Sequence, residues 1–367
     1  MINLSNSNLI ADKKYIFDYN FNELEAKILE NGYEKFRAIQ IIHWIINKNI
    51  TDFDEMLNLP KQFRAFLSSE FKITSLRLNN EQSTDDNATT KILFGLEDGA
   101  DIETVQMKYD PDSDTNRLSH RTTICISTQA GCAMQCIFCA TGLQGLKRNL
   151  STSEIIGQIL YFSKTRKITN VVFMGMGEPL YNYNEVLKSL YILMDNEGLS
   201  YSKRKITLST SGVVPVLEKL KLEVDVSLAI SLHAVKDELR NQLVPINRKW
   251  PIEKLLNALT NFPGVNNSRR ITFEYVMLEG VNDTMEDAKR LSKILKPLHA
   301  KVNLIPFNPW PGSKYKCSSI DVINDFATVV CKDGGITATV RQPRGQDILA
   351  ACGQLKSSSI KIKEKIN

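Results

Sequence analysis

No stretch of the 367-residue sequence stays apolar for long enough to cross a bilayer. A transmembrane helix needs about 20 apolar residues, and the densest patches, Ile41–Ile46 and Val171–Met176, stop far short. The first residues, Met1 to Ala11, are polar and lack a basic segment followed by an apolar one, so a cytoplasmic protein with no membrane partner is expected. Internal repeats and low-complexity tracts are missing too. A structural disulfide framework is disfavoured, because the seven cysteines are odd in number, three of them crowd into eight residues, and no secretory signal precedes them. The formal charge of +5 is compatible with a polyanionic partner without requiring one.

What is present divides into pieces. Phe21 to Phe71 reads as a small helical module: Leu24 and Ile28 share a helical face, Phe36 to Ile46 carries an apolar stripe, and Pro60 suits a first helical position. From Ile73 to Tyr109 the pattern becomes strand-like, with a polar hairpin over Glu81–Thr90. There Glu103, Val105, Met107 and Tyr109 fall on one face and Thr104, Gln106 and Lys108 on the other, which puts an acid on an apolar face. Residues 110–120 are polar and read as a loop. From Thr122 onward short apolar strands alternate with helical patterns such as Thr152–Lys167, Tyr183–Glu197 and Thr284–Leu298. The strands are Thr122–Ser127, Ile168–Met174, Lys205–Thr210, Asp225–Ser231, Arg270–Met277, Lys301–Pro306 and Ile336–Arg341. Repeated βα units imply an α/β fold of parallel strands covered by helices, as an open or closed barrel.

Cys132, Cys136 and Cys139 are spaced C-x3-C-x2-C in the loop after the first of these strands, at the end where barrel folds place their chemistry. Three thiolates suit a [4Fe–4S] cluster with one iron left open. The competing readings are half a zinc site or a chance cluster of buried cysteines. Zinc wants a fourth Cys or His nearby, and the nearest histidine, His120, precedes the strand. After the second strand, Gly175-Met-Gly177-Glu178-Pro179 offers exposed backbone groups and a carboxylate for a cationic amine.

The C-x3-C-x-aromatic-C pattern resembles the radical S-adenosylmethionine (SAM) superfamily, whose open iron binds the amino and carboxylate groups of SAM. Reduction then cleaves SAM to a 5′-deoxyadenosyl radical. Further strings are similar to the RlmN family: Cys125-Ile-Ser-Thr-Gln-Ala-Gly-Cys132, Phe173-Met-Gly-Met-Gly-Glu-Pro179, Thr207-Leu-Ser-Thr-Ser-Gly212, Ser231-Leu-His-Ala234, Leu243-Val-Pro-Ile-Asn247, Tyr275-Val-Met-Leu-Glu-Gly-Val-Asn282, Ile305-Pro-Phe-Asn-Pro309 and Ala350-Ala-Cys-Gly-Gln-Leu355. The resemblance implies a partial (βα)6-type radical SAM barrel. Its expected organisation is an N-terminal RNA-docking helical domain over 1–72, a β connector and loop over 73–120, the barrel and catalytic segment over 121–355, and a loose basic tail over 356–367.

The implied activity is methylation of C2 of adenosine in 23S rRNA and tRNA. C2 is an electrophilic carbon, so a methyl transfer that needs an attacking nucleophile cannot work there. The resemblance implies two SAM molecules, with Cys352 methylated by the first and its methyl group activated by the radical from the second. Cys125 then resolves a covalent protein–RNA adduct, ending in a transient Cys125–Cys352 disulfide. From the residues alone, Cys125 reads as an ordinary buried strand cysteine and Cys352 equally as a packed helix-end one. The thiol exchange wants exposed, thiolate-prone sulfurs. Glu103 is the candidate proton acceptor because desolvation would raise its pKa; a salt-bridged glutamate at a strand start is the alternative, and Cys125 is a second candidate for removing the C2 proton. The SAM contacts implied are Gly177, Glu178, Ser209, Ser231, Leu232, His233 and Asn308. A flavodoxin-type electron donor and a monomeric enzyme are expected.

Phosphate contacts are expected from Lys147-Arg148, Lys203-Arg204-Lys205, Arg248-Lys249, Arg269-Arg270 and Arg344, with Lys35, Arg37 and Lys48 on the helical module. Cys317 and Cys331 match no motif and keep a structural reading. Two other functions compete. One is the C8 methylation of the related Cfr enzymes, which gives antibiotic resistance; the other is a non-catalytic, cluster-bearing RNA-binding factor.

Overall fold

The computed structural model describes residues 13–110, 120–164, 167–260 and 262–356. Of the loop expected over 110–120 and the tail expected over 356–367, residues 111–119 and 357–367 lie outside the described residues. The chain opens with β1 (Lys14–Tyr15), α1 (Phe21–Glu30), α2 (Arg37–Lys48), α3 (Lys61–Glu70) and β2 (Phe71–Lys72), with β1 parallel to β2. Asn20 and Glu23 form a reciprocal capping box that starts α1. Pro60 takes the N-cap of α3, one position earlier than the sequence suggests, because its fixed φ suits either place. Leu24, Ile28, Ile41, Ile45, Phe63 and Leu67 are fully or almost fully buried, so three amphipathic helices close one small core. Tyr33 lies with its ring centroid 4.5 Å from that of Phe63.

Next come β3 (Arg77–Ser83), β4 (Thr89–Gly95) and β5 (Asp101–Tyr109), an antiparallel meander. This connector is continuous with the barrel: β5 pairs antiparallel with β6 (Arg121–Cys125), and the main sheet has ten strands. A short pair, β7 (Gln129–Gly131) and β8 (Leu146–Asn149), frames the cysteine loop and α4 (Ala140–Gln144). The chain then alternates through α5 (Thr152–Ser163), β9 (Asn170–Phe173), α6 (Tyr183–Met194), β10 (Ile206–Thr210), α7 (Val214–Glu223) and β11 (Ser227–Ser231). It finishes with α8 (Asp237–Leu243), α9 (Ile252–Leu259), β12 (Ile271–Met277), α10 (Met285–Leu295), β13 (Ala300–Pro306), α11 (Ile320–Gly334) and β14 (Thr337–Val340).

Strands β6 and β9 to β14 are parallel and lie in sequence order, with β3 and β14 at the two edges. Sequential order with right-handed crossovers places the helices on one face and curls the other inward, which is an open barrel. The expected polar face of β5 does not meet water. Thr104 and Gln106 are buried beneath α5, whose Gln158 accepts from the Thr104 hydroxyl (2.7 Å) and the Ser127 amide (2.8 Å) and donates to the Ser127 carbonyl (2.9 Å). Thr104 survives burial because it is paired, whereas the Gln106 amide nitrogen is buried without a partner among the described residues. The helical module docks on the barrel's outer helices through Asp18, which accepts from the Ser153 amide, and through a Lys188–Glu23 ion pair at 3.0 Å.

Phe63 is completely buried and anchors the module's aromatic cluster. Phe63→Ala is expected to cost about 3–5 kcal/mol, read as a lower denaturant midpoint for the unfolding of this module.

Candidate active site

Cys132 sits where β7 ends. Gly131 has φ +81°, and a Cβ there would meet the Gly145 carbonyl oxygen at 2.0 Å, so only glycine lets β7 and β8 close this tightly. The Cys132 amide donates to that same carbonyl at 2.9 Å. Cys136 lies behind it, and Cys139 precedes α4. Donors converge on the sulfurs: Met134 and Gly177 amides on Cys132, Thr141 and Gly142 on Cys139. Burial pushes the Cys132 thiol up to about 12 and raises Cys136 and Cys139 as well, with mutual repulsion adding to it.

Above the loop, the strand ends enclose a cavity of about 160 Å³. Glu178 and Glu274 are buried acids in its wall; one Glu178 carboxylate oxygen accepts from the Leu180 amide (3.1 Å), the other from the Ser211 amide (2.7 Å), and burial raises its pKa. Gly177, with φ +101°, brings the chain against Gln129, whose side chain would lie 2.5 Å from a Cβ. Ser209, Ser231 and His233 line the same space. His233 has φ +58°, accepts from the Val276 amide through Nδ1 (3.1 Å) and meets the edge of Phe138. Burial, helped by Arg240, lowers its pKa to about 3, so the ring is neutral with its proton on Nε2. Leu232 turns into the core and offers only backbone here.

A second cavity, of about 90 Å³, shares a wall with the first. Cys125, at the end of β6, faces it; Cys352 and Arg341 line both. Asn308, expected beside SAM, lies in this second cavity instead, donating to the Cys352 carbonyl (3.1 Å) and accepting from Gln346 (2.8 Å). The segment carrying Cys352 is a strap pinned from both sides: Ala140 donates to the Gly353 carbonyl (2.8 Å), Thr141 to that of Leu355 (2.6 Å), and Gln354 donates to the Pro309 carbonyl (2.7 Å). Cys352 is half-buried and Cys125 buried. Burial pushes the Cys125 thiol up to about 12, with Cys352 second among the causes. Cys125 is therefore neither exposed nor thiolate-prone, contrary to expectation, because it ends a strand beneath the strap.

Glu103 lines neither cavity. It lies two residues along β5 from Val105, which does, and its carboxylate pairs with Lys91 (3.0 Å) and accepts from the Lys356 amide (2.7 Å). Burial is the largest influence on it and raises its pKa against the pull of Lys91. The acid on an apolar face thus has a buried partner from β4. Several expected phosphate contacts are also already engaged. Arg148 is clamped between Asp98 and Glu154, while Lys203 and Arg269 both pair with Asp225, so these are structural ion pairs. Arg344 instead stacks on Tyr109 at the mouth of the second cavity, 4.4 Å from the ring centroid. Cys317 and Cys331 line neither cavity. A wider cleft, about 1100 Å³ between α1 and α6, holds none of the cysteines.

Comparison with known proteins decides the family. The model of the radical SAM superfamily matches residues 126–291, and that of the ribosomal RNA large subunit methyltransferase N-terminal domain matches residues 15–73. The dual-specificity RNA methyltransferase RlmN of Bradyrhizobium diazoefficiens is 48% identical over 359 residues, covering 93% of this chain and 88% of that protein. Its counterpart in Parvibaculum lavamentivorans is 50% identical over 357 residues, covering 92% and 87%. The chain belongs to the RlmN family. A radical SAM methyltransferase from Sphaerobacter thermophilus, known from its crystal structure, is 43% identical and superposes with a TM-score of 0.86, covering 94% of this chain and 99% of that one.

As a radical SAM enzyme of the RlmN family, the chain uses a [4Fe–4S] cluster and SAM, and its residues fit both. Among the described residues no three His, Cys, Asp or Glu side chains converge as they would on a single metal ion. Zinc, about 2.3 Å from each sulfur, would draw thiolates to within about 4 Å of one another; a cubane gives each cysteine its own iron. Cys132, Cys136 and Cys139 would hold the cluster, and Glu178 with the strand-end backbone would hold the amine of SAM. Sequence reasoning missed Lys91, Arg240 and Arg341. Arg240 is fully buried and donates to the carbonyls of Leu232, Ser211 and Ser231 and to Asn247, at 2.8 to 3.0 Å. The only sequence signal for Arg341 was its place at the end of a barrel strand.

His233 supplies a pH test. A neutral buried ring binds no proton until far below 6.5, whereas the unfolded chain's ring protonates near 6.5. The stability it contributes is complete above about 6.5 and is lost as pH falls toward 3. Denaturant midpoints measured across this window are expected to fall less steeply for His233→Asn than for the parent protein.

Proposed function

We propose that this chain methylates C2 of adenosine in 23S rRNA and in tRNA, through an S-methylated Cys352 and a transient protein–RNA adduct. The observation that carries this reading is the position of Cys352 on the wall common to the cofactor cavity and the cavity holding Cys125. When bound, the cluster and SAM supply a methyl group and, after one-electron reduction, a radical able to take a hydrogen atom. Cys352 accepts the methyl group on sulfur and presents that carbon to C2 of the adenine. Glu103 takes the C2 proton; burial raises its proton affinity, and the strap must lift for the base to reach it. Once the adduct has returned its unpaired electron to the cofactor site that supplied one, Cys125 attacks the Cys352 sulfur. An S–S bond forms, the S–C bond breaks, and the methylene carbon takes a proton as the methylated base leaves. An external thiol then reduces the disulfide. The buried Cys125 thiol must lose a proton before it attacks, a loss that the nearby Arg341 eases.

The identity of the relatives favours C2 over C8. A non-catalytic RNA-binding factor would have no use for two cysteines facing one cavity beside a cofactor site. RNA contacts are assigned to Arg344 with Tyr109 at the cavity mouth, to Arg204, Lys205, Arg248 and Lys249, and to Lys35, Arg37 and Lys48 on the helical module. We take the enzyme to act as a monomer. We assign it to the cytoplasm, where its RNA substrates are, with a flavodoxin-type protein as electron donor.

Anaerobically reconstituted protein incubated with SAM, reductant and an RNA fragment is expected to give 2-methyladenosine, and no 8-methyladenosine, after digestion. Cys352→Ala should give none, while Cys125→Ala should accumulate a protein–RNA adduct that survives a denaturing gel. Methylated RNA from purified Cys352→Ala protein would discard the mechanism.

A further inference from the structure

Arg341 follows β14, where its amide donates to the Leu304 carbonyl at 2.8 Å. Its side chain lines both cavities, at the wall where Cys352 stands. Cys352 and Glu274 are its strongest attractive charge neighbours, with Tyr109 and Cys125 behind them. No described residue accepts a hydrogen bond from its guanidinium. Of the other arginines nearby, Arg240 spends its donors on four acceptors, and Arg344 gives one to the Lys108 carbonyl and stacks on the Tyr109 ring. The acids are engaged too: Glu178 receives two amides, and Glu274 receives the Asn303 amide on both oxygens (3.2 and 3.0 Å). A guanidinium offers five donors in a fixed fork. Five unspent donors beside the two reactive cysteines await an acceptor brought by a ligand.

We propose that Arg341 orients the target adenine by donating to a ring nitrogen that flanks C2. The inference rests on the methyltransferase reading above. In an unpaired adenine, N1 and N3 are free acceptors on either side of C2, whereas C8 lies on the far side of the base. A cation fixed on that edge sets C2, not C8, against Cys352. It also draws electron density from the ring, which favours addition of a carbon radical at C2. Arg341 is in this sense a specificity-determining residue, acting on the substrate and not on the first methyl transfer.

The test uses reconstituted Arg341→Met and Arg341→Lys enzymes with two readouts. The methyl load on Cys352, measured by peptide mass, should stay within about twofold of the parent for both, while RNA methylation falls about 10- to 100-fold in Arg341→Met, the range for losing a charged hydrogen bond. RNA fragments carrying 1-deazaadenosine or 3-deazaadenosine at the target supply the second arm. One of them should slow the parent enzyme about fivefold or more beyond its effect on Arg341→Met, because the pairwise cycle cancels the intrinsic chemistry of the deaza base. Equal deaza penalties in parent and variant, or loss of the Cys352 methyl group together with RNA methylation, would overturn the proposal. A parent enzyme that methylates Cys352 but leaves adenosine unmodified at C2 would instead overturn the reading on which it rests.

Discussion

Arg240 lies wholly inside the protein and ends its side chain among three backbone carbonyls, from the ends of β10 and β11 and the turn after them. Burying a guanidinium is costly unless every donor is met. Here burial lowers its pKa only to about 10, so the charge persists at neutral pH. Consecutive parallel strands leave their carbonyls pointing out at the barrel mouth, where nothing in the sheet can satisfy them. One cation gathers them, and the loops bearing Ser211, Ser231 and His233 then have a single arrangement. Its helix, α8, also accepts the Ile137 amide on the Leu243 carbonyl, which ties the cysteine loop to the same frame.

From that frame the rest of the site follows by contact. Glycines at 131 and 177 let the cysteine loop and the second strand end approach more closely than any side chain allows. The strap crosses from β14 to the cysteine loop, held by main-chain bonds at Gly353 and Leu355, and this sets Cys352 between two cavities. The antiparallel strands β3 to β5 lengthen the barrel wall beneath the strap, so the chemistry spans elements about 250 residues apart in sequence.

Much of this was legible beforehand because it is written in local strings. A cysteine triplet after a strand, a glycine-rich turn after the next, and alternating apolar runs need no knowledge of distant contacts. Lys91, Arg240 and Arg341 were not legible, since their meaning comes from partners elsewhere in the chain. The same cause misled the reading of charge. Arg148, Lys203 and Arg269 look like free cations in sequence and are paired in space with Asp98, Glu154 and Asp225. Asn308 has the right residue type but sits one cavity away, because the strap claims its side chain.

The amide of Lys356 closes over the Glu103 carboxylate, opposite Lys91. A buried acid is thus capped by main chain from just beyond the reactive cysteine segment, so the last described residues shield the Glu103 carboxylate. Cropping the polypeptide short of this position would uncap the acid, and an affinity handle added here belongs well downstream of it.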